Sequence, residues 1–157
     1  MARFIGIDPG LQYTGWGIVD IDNRALRFIA AGVIQTKPTT LMPLRLLSIQ
    51  EELKIVIGQH QPQYAAIEET FVNNNYRSSL LLSQARGVAM VTLAGQQLIA
   101  TEYAANVVKK AIVGRGHADK QQVLQMLQYL MPGLLVDQID AADALAVAVC
   151  HAHHMQL

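Results

Sequence analysis

Four carboxylates stand where apolar segments end or begin. Asp8 closes the stretch RFIGID, with Pro9-Gly10 behind it, and Glu68 closes YAAIE at 64–68. Asp140 and Asp143 open the run IDAADALAVAV at 139–149. Acids gathered in one place repel one another unless protons or cations compensate. Hard carboxylate oxygens with open positions suit Mg²⁺, with Mn²⁺ as a substitute, and two such ions suit phosphoryl transfer. That chemistry requires the fold to bring the four acids together. Each also has a plainer reading: Asp8 can start a turn beside Pro9-Gly10. Asp140 and Asp143 can cap a helix or sit at the positive end of its dipole.

The elements that must hold these groups can be read from periodicity. Residues 3–8, 13–20 and 25–35 read as strands, with a turn at 22–24 between the last two, which suggests an antiparallel meander. Leu46, Leu53, Val56 and Ile57 fall at helical spacing within 44–60. A fourth strand follows at 64–68, then a helix over 78–96, a fifth strand near 98–103 and a helix over 104–112. The glycine loop at 114–117 opens into a helix over 119–131, and a last helix runs from about Asp140 to the histidines at 151–154. Three strands followed by alternating helix and strand describe one α/β domain over 1–157, a mixed five-stranded sheet with helices on both faces. Strand alternation puts Gly6 with Asp8 and Ala66 with Glu68. The small residues beside each acid read as room for a ligand or a metal. In the last helix, the i, i+3 spacing sets Asp140 and Asp143 on one face.

Other side chains suit a polyanionic partner. Phe71, three asparagines, Tyr76 and Arg77 share the polar stretch 71–77. An exposed aromatic can stack on an unpaired base for roughly 1–3 kcal/mol, and arginine can hold phosphate. Packing of Phe71 beneath the loop is the alternative. Lys109, Lys110, Arg115 and Lys120 lie around the glycine loop, where they form a solvated face or a phosphate-binding patch. His151, His153 and His154 sit at a helix end, where cationic side chains suit the dipole.

Composition limits the classes. Hydrophobic residues make up 52% and charged ones 15%, which excludes a disordered chain. No apolar run is long enough to cross a membrane, nothing resembles a signal peptide, and the one cysteine, Cys150, fits a reducing cytoplasm. Twelve basic residues balance twelve acids. If four acids belong to a metal site, eight remain against twelve, a surplus of +4, so neutrality does not argue against nucleic acid.

The motifs GIDPG at 6–10, AIE at 66–68, QARG at 84–87 and DAADALA at 140–146 resemble, in order and spacing, those of the RuvC family of bacterial Holliday-junction resolvases. The likeness extends over essentially the whole chain. It implies a ribonuclease-H-like fold, a homodimer, and a catalytic metal site on Asp8, Glu68, Asp140 and Asp143 that takes two Mg²⁺. It implies DNA contacts by Phe71, Lys109 and Lys120; Arg77 is a further candidate from its own chemistry, not from the resemblance. It also implies four-way junction DNA as substrate, and the branch-migration proteins RuvA and RuvB as partners. The apolar helix at 78–96, with Ser83, Ala85, Gly87 and Ala89 allowing close approach, would lie in the dimer interface. Two other readings remain open at this point. Asp-x-Gly followed by Thr14-Gly15 also resembles the phosphate loop of actin-like and sugar-kinase-like ATPases, and a catalytically silent junction-binding scaffold would carry many of the same features.

Overall fold

The computed structural model describes residues 1–70, 74–135, 137 and 139–155. Its elements run β1 (Ala2–Asp8), β2 (Tyr13–Asp22), β3 (Ala25–Gln35), α1 (Met42–His60), β4 (Tyr64–Glu68), α2 (Tyr76–Gly95), β5 (Ala100–Tyr103), α3 (Ala105–Val113), α4 (Lys120–Leu130) and α5 (Ile139–Met155). The five strands form one sheet in the order β3-β2-β1-β4-β5. β1, β2 and β3 pair antiparallel, and β4 and β5 add in parallel. The expected meander and mixed sheet are both present.

β1 lies at the centre because it is apolar on both faces: Phe4, Ile5 and Ile7 are fully buried. Ile5 and Ile7 join Ile49 and Leu53 of α1 and Ala85, Ala89 and Leu93 of α2 in one core. Phe4 faces the other core, shared with Val108 of α3, Leu127 of α4 and Leu145 of α5. Each fully buried aliphatic or aromatic side chain contributes roughly 1.5–3 kcal/mol.

Local chemistry sets the boundaries. Asn23 and Arg24, both left-handed with φ 49° and 68°, make the two-residue turn between β2 and β3. Pro43 enters the first turn of α1 without costing a hydrogen bond. α2 starts at Tyr76 rather than 78, because the Asn75 side chain accepts from the Ser78 amide and caps it. Arg77 therefore belongs to a helix's first turn, not to a loop. β5 is shorter than its apolar pattern, since Gln97 turns left-handed at φ 63° and delays the strand to Ala100. Asp119 and Gln122 form a reciprocal capping box that fixes the start of α4, and with it Lys120.

α5 explains the glycines of β1 and β2. A Cβ on Gly6 would collide with the Ala144 carbonyl and the Ala148 amide, and one on Gly15 with the Asp140 carbonyl. An alanine-rich helix therefore lies directly on bare backbone, with Ala144, Leu145, Val147 and Ala148 completely buried. The space over Gly6 is thus not the ligand room that its small size had suggested. It is filled by α5, as is the space over Gly15.

Candidate active site

Asp8 and Glu68 end adjacent parallel strands, with Ile7 opposite Ile67 in the register. Their shared parity turns both toward the α5 side. The close approach at Gly15 brings the start of α5 over the same strand ends. Asp140 and Asp143 lie inside the first turns of α5, so neither is the residue that precedes the helix. Carboxylate oxygens of Asp8, Asp140 and Asp143 come within 4.8 Å of one another, and among the described residues no other such group of three forms. Glu68 joins this cluster through a hydrogen bond with Asp8. Glu69 is exposed, and its amide donates to the Tyr103 carbonyl at 2.9 Å.

The electrostatics follow from crowding. Burial first, then the negative charges of Glu68, Asp143 and Asp140, push the Asp8 carboxyl from its ordinary 3.8 up to about 8. At neutral pH Asp8 keeps its proton and donates it to Glu68. Glu68 is itself raised by burial, while the bond from Asp8 and the charges of Lys120 and Lys109 pull it down. The two titrate as a pair.

A cavity of about 310 Å³ opens beside the acids. Asp8, Glu68 and Asp143 line one side, Lys109 of α3 and Lys120 of α4 another, and Ala105, Val108, Val123 and Ala146 supply an apolar wall. Lys120 Nζ donates to Asp143 Oδ2 at 2.8 Å. That bond first, and the charges of Asp143, Asp8 and Asp140 after it, raise the ammonium's pKa. Arg77 is exposed at the start of α2 and does not line this cavity. Phe71 lies outside the described residues.

Sequence reasoning passed over the groups that hold the turn after Asp8. Thr14, almost fully buried, donates its hydroxyl to the Gly10 carbonyl at 2.5 Å. Thr36 donates its hydroxyl to the Leu11 carbonyl and its amide to the Gln12 carbonyl. Buried Arg45 of α1 donates to the Thr36 hydroxyl at 2.9 Å. A threonine just after Pro-Gly was a usable signal for Thr14; nothing in the local pattern marks Arg45. Two of the C-terminal histidines have structural partners: His151 Nδ1 meets the Tyr103 hydroxyl at 2.9 Å, and His154 Nδ1 the Cys150 carbonyl at 2.8 Å.

The family profile described as Crossover junction endodeoxyribonuclease RuvC matches residues 4–151. The chain belongs to the RuvC family. The RuvC of Gluconobacter oxydans is 50% identical over 154 residues, covering 98% of this chain and 92% of its own length. That of Afipia carboxidovorans is 48% identical over 154 residues, covering 98% and 90%. Thermus thermophilus RuvC, solved in complex with a Holliday junction substrate, superposes with a TM-score of 0.92 at 28% identity, covering 99% of this chain and 96% of that one. The yeast mitochondrial Holliday junction resolvase shares the fold, with a TM-score of 0.70 at 10% identity over 95% of this chain and 77% of that one. The expected ribonuclease-H-like fold is therefore that of the RuvC structures. RuvC membership also selects the endonuclease reading over the ATPase one.

Proposed function

We propose that the chain is a structure-selective DNA endonuclease that resolves Holliday junctions by paired, symmetric nicks. In this reading residues 1–157 act as one nuclease domain in the cytoplasm, and among the described residues no helix is long and apolar enough to cross a membrane. The observation that carries the proposal is the convergence of Asp8, Asp140 and Asp143 within 4.8 Å, with Glu68 bonded to Asp8 beside a cavity bearing two lysines.

The donor set fits divalent cations. Four acids supply hard oxygens, and Asp8 is driven to keep a proton at neutral pH, so the cluster lacks positive charge. Asp8, Glu68, Asp140 and Asp143 would hold two Mg²⁺, with Mn²⁺ as a substitute. When bound, the ions supply a water acidic enough to attack at neutral pH and neutralise charge on the leaving oxygen.

The chain's own residues do the rest. Asp8 would release the proton it shares with Glu68 and, with Glu68, Asp140 and Asp143, would hold the ions. Lys109 and Lys120 hold phosphate on the open side of the cavity, and the apolar wall excludes water there. Phe71 stacks on a base opened at the crossover, and Arg77 grips backbone farther out. In-line displacement leaves a 5′ phosphate and a 3′ hydroxyl.

One site makes one nick, so symmetric nicking of two strands calls for a twofold dimer that matches the junction's symmetry. α2 offers a face for it: Leu80 and Val91 are mostly exposed, and Gly87 between them has open space above its backbone. RuvA and RuvB are the partners proposed to deliver the junction. The test is Asp8→Asn in gel-shift and nicking assays on one four-way junction. Binding should persist while cleavage is lost; cleavage at the wild-type rate would overturn the assignment.

A further inference from the structure

Lys120 reaches across the cavity and places its ammonium on a carboxylate of the metal cluster, 2.8 Å from Asp143 Oδ2. The capping box at Asp119 and Gln122 fixes the start of α4, so the lysine's root is set while its side chain is 64% exposed. Lys109 lines the same cavity, makes no ion pair with any of the four acids among the described residues, and acts on Glu68 through its charge. The two lysines are therefore not equivalent. One adds positive potential; the other occupies a donor oxygen.

We infer that Lys120 is an internal cation that holds one ion position closed until DNA arrives. This rests on the nuclease reading above. In the free protein, the acids not engaged by Lys120, namely Asp8, Glu68 and Asp140, would hold a first divalent ion. Filling the second position requires Asp143 to exchange the Lys120 ammonium for the ion. With the acids of this cavity committed to ions, a freed ammonium needs another anion, and a DNA phosphate provides one. Phosphate binding and completion of the metal pair then strengthen each other by the same factor, as reciprocal coupling demands. The lysine's two contacts, carboxylate before DNA and phosphate after, are alternative states of one flexible side chain. The consequence is that full metal loading coincides with a seated strand, which limits nicking of DNA that has not been positioned.

The experiment is equilibrium Mn²⁺ binding to the intact protein without DNA, read by calorimetry and by the EPR signal of free Mn²⁺, for wild type, Lys120→Met, Lys109→Met and Asp8→Asn. Wild type should take one ion well and a second weakly. Lys120→Met should tighten the second event by about tenfold, a change of about 1.4 kcal/mol. Lys109→Met, which removes the same charge without freeing a ligand, should change it by no more than about twofold. Equal effects of the two lysine variants would reduce Lys120 to general electrostatics and overturn the inference, as would an unchanged second event. Loss of all binding in Asp8→Asn supports the metal site itself. Mn²⁺ binding that ignores Asp8 would instead defeat the nuclease reading, so the two failures are distinguishable. ¹⁵N shifts of the Lys120 ammonium in wild type give a mutation-free check: they should stay fixed through the first equivalent of Mg²⁺ and move when a junction is added, and movement with the first equivalent alone would contradict the inference.

Discussion

Gly15 lies so close beneath Asp140 that a Cβ at position 15 would overlap the Asp140 carbonyl oxygen. A hydrogen atom on β2 thus determines where an acid of α5 stands, and the acid's distance from Asp8 follows. Gly15→Ala should force the start of α5 away from the sheet. Overpacking against backbone costs about 1–3 kcal/mol. A carboxylate displaced by ångströms costs more in rate, about 10²-fold. Melting and single-turnover junction cleavage measured together would show it; wild-type cleavage would mean that α5 is not held by this contact.

Gly58 provides the opposite case, in the interior of α1 with open space where a Cβ would stand. Gly58→Ala should raise stability by about 0.5–1 kcal/mol through helix propensity and leave cleavage unchanged. A loss of stability measured by urea unfolding would contradict the packing described for α1.

Asp8 gives the metal-free protein a distinctive pH dependence. Its carboxyl titrates near 3.8 when unfolded and at about 8 when folded, so between these values the native state binds the extra proton. Stability is then greatest at the acid end of that window and declines as pH rises toward 8. Asp8→Asn should flatten the slope and, at pH 8 without metal, melt at least about 2–4 °C above wild type. A parallel pH profile for the two proteins would show that Asp8 is not a strained acid.

Mg²⁺ binding should release the same proton. At pH 7, calorimetry in buffers of different ionisation enthalpy should register close to one proton per protein, and apparent affinity should rise between about pH 6 and pH 8. Affinity that is flat across this window would mean that the cluster is already fully ionised.

The far end of β1 offers a stability test separate from the site. Arg3 grips buried Asp20 through Nε at 2.7 Å and Nη2 at 2.8 Å, and Nη1 reaches the His60 carbonyl at 2.8 Å. Arg3→Ala strands a buried carboxylate and should cost about 3 kcal/mol, while the folded fraction cleaves normally. A melting temperature within about a degree of wild type would show that Asp20 finds water instead.

Much of this was legible in the sequence, for identifiable reasons. Strand period sets Asp8 with Gly6 and Glu68 with Ala66, and the parallel register of β1 and β4 then turns both acids to the same side, which periodicity could not show. Helical spacing set Asp140 and Asp143 on one face. What alternation cannot say is what fills the space beside a small residue: Gly6 looked like ligand room and, with Gly15, is the bed of α5. Nor can spacing reveal contacts between distant segments. Lys120 and Asp143, separated by 23 positions, meet only because the α4 cap and the α5 packing surface are set independently. Asn75 was a readable cap that would have started α2 two residues earlier.

The most direct test is incubation of the protein with a synthetic four-way junction and with a plain duplex of the same sequence, each with and without Mg²⁺, followed by mapping of nicks at nucleotide resolution. The expected result is a pair of symmetric nicks in opposing strands of the junction, with 5′ phosphates, only when Mg²⁺ is present. Nicking of the duplex at the same rate, or junction nicking unaffected by removal of Mg²⁺, would contradict a metal-dependent resolvase built on Asp8, Glu68, Asp140 and Asp143.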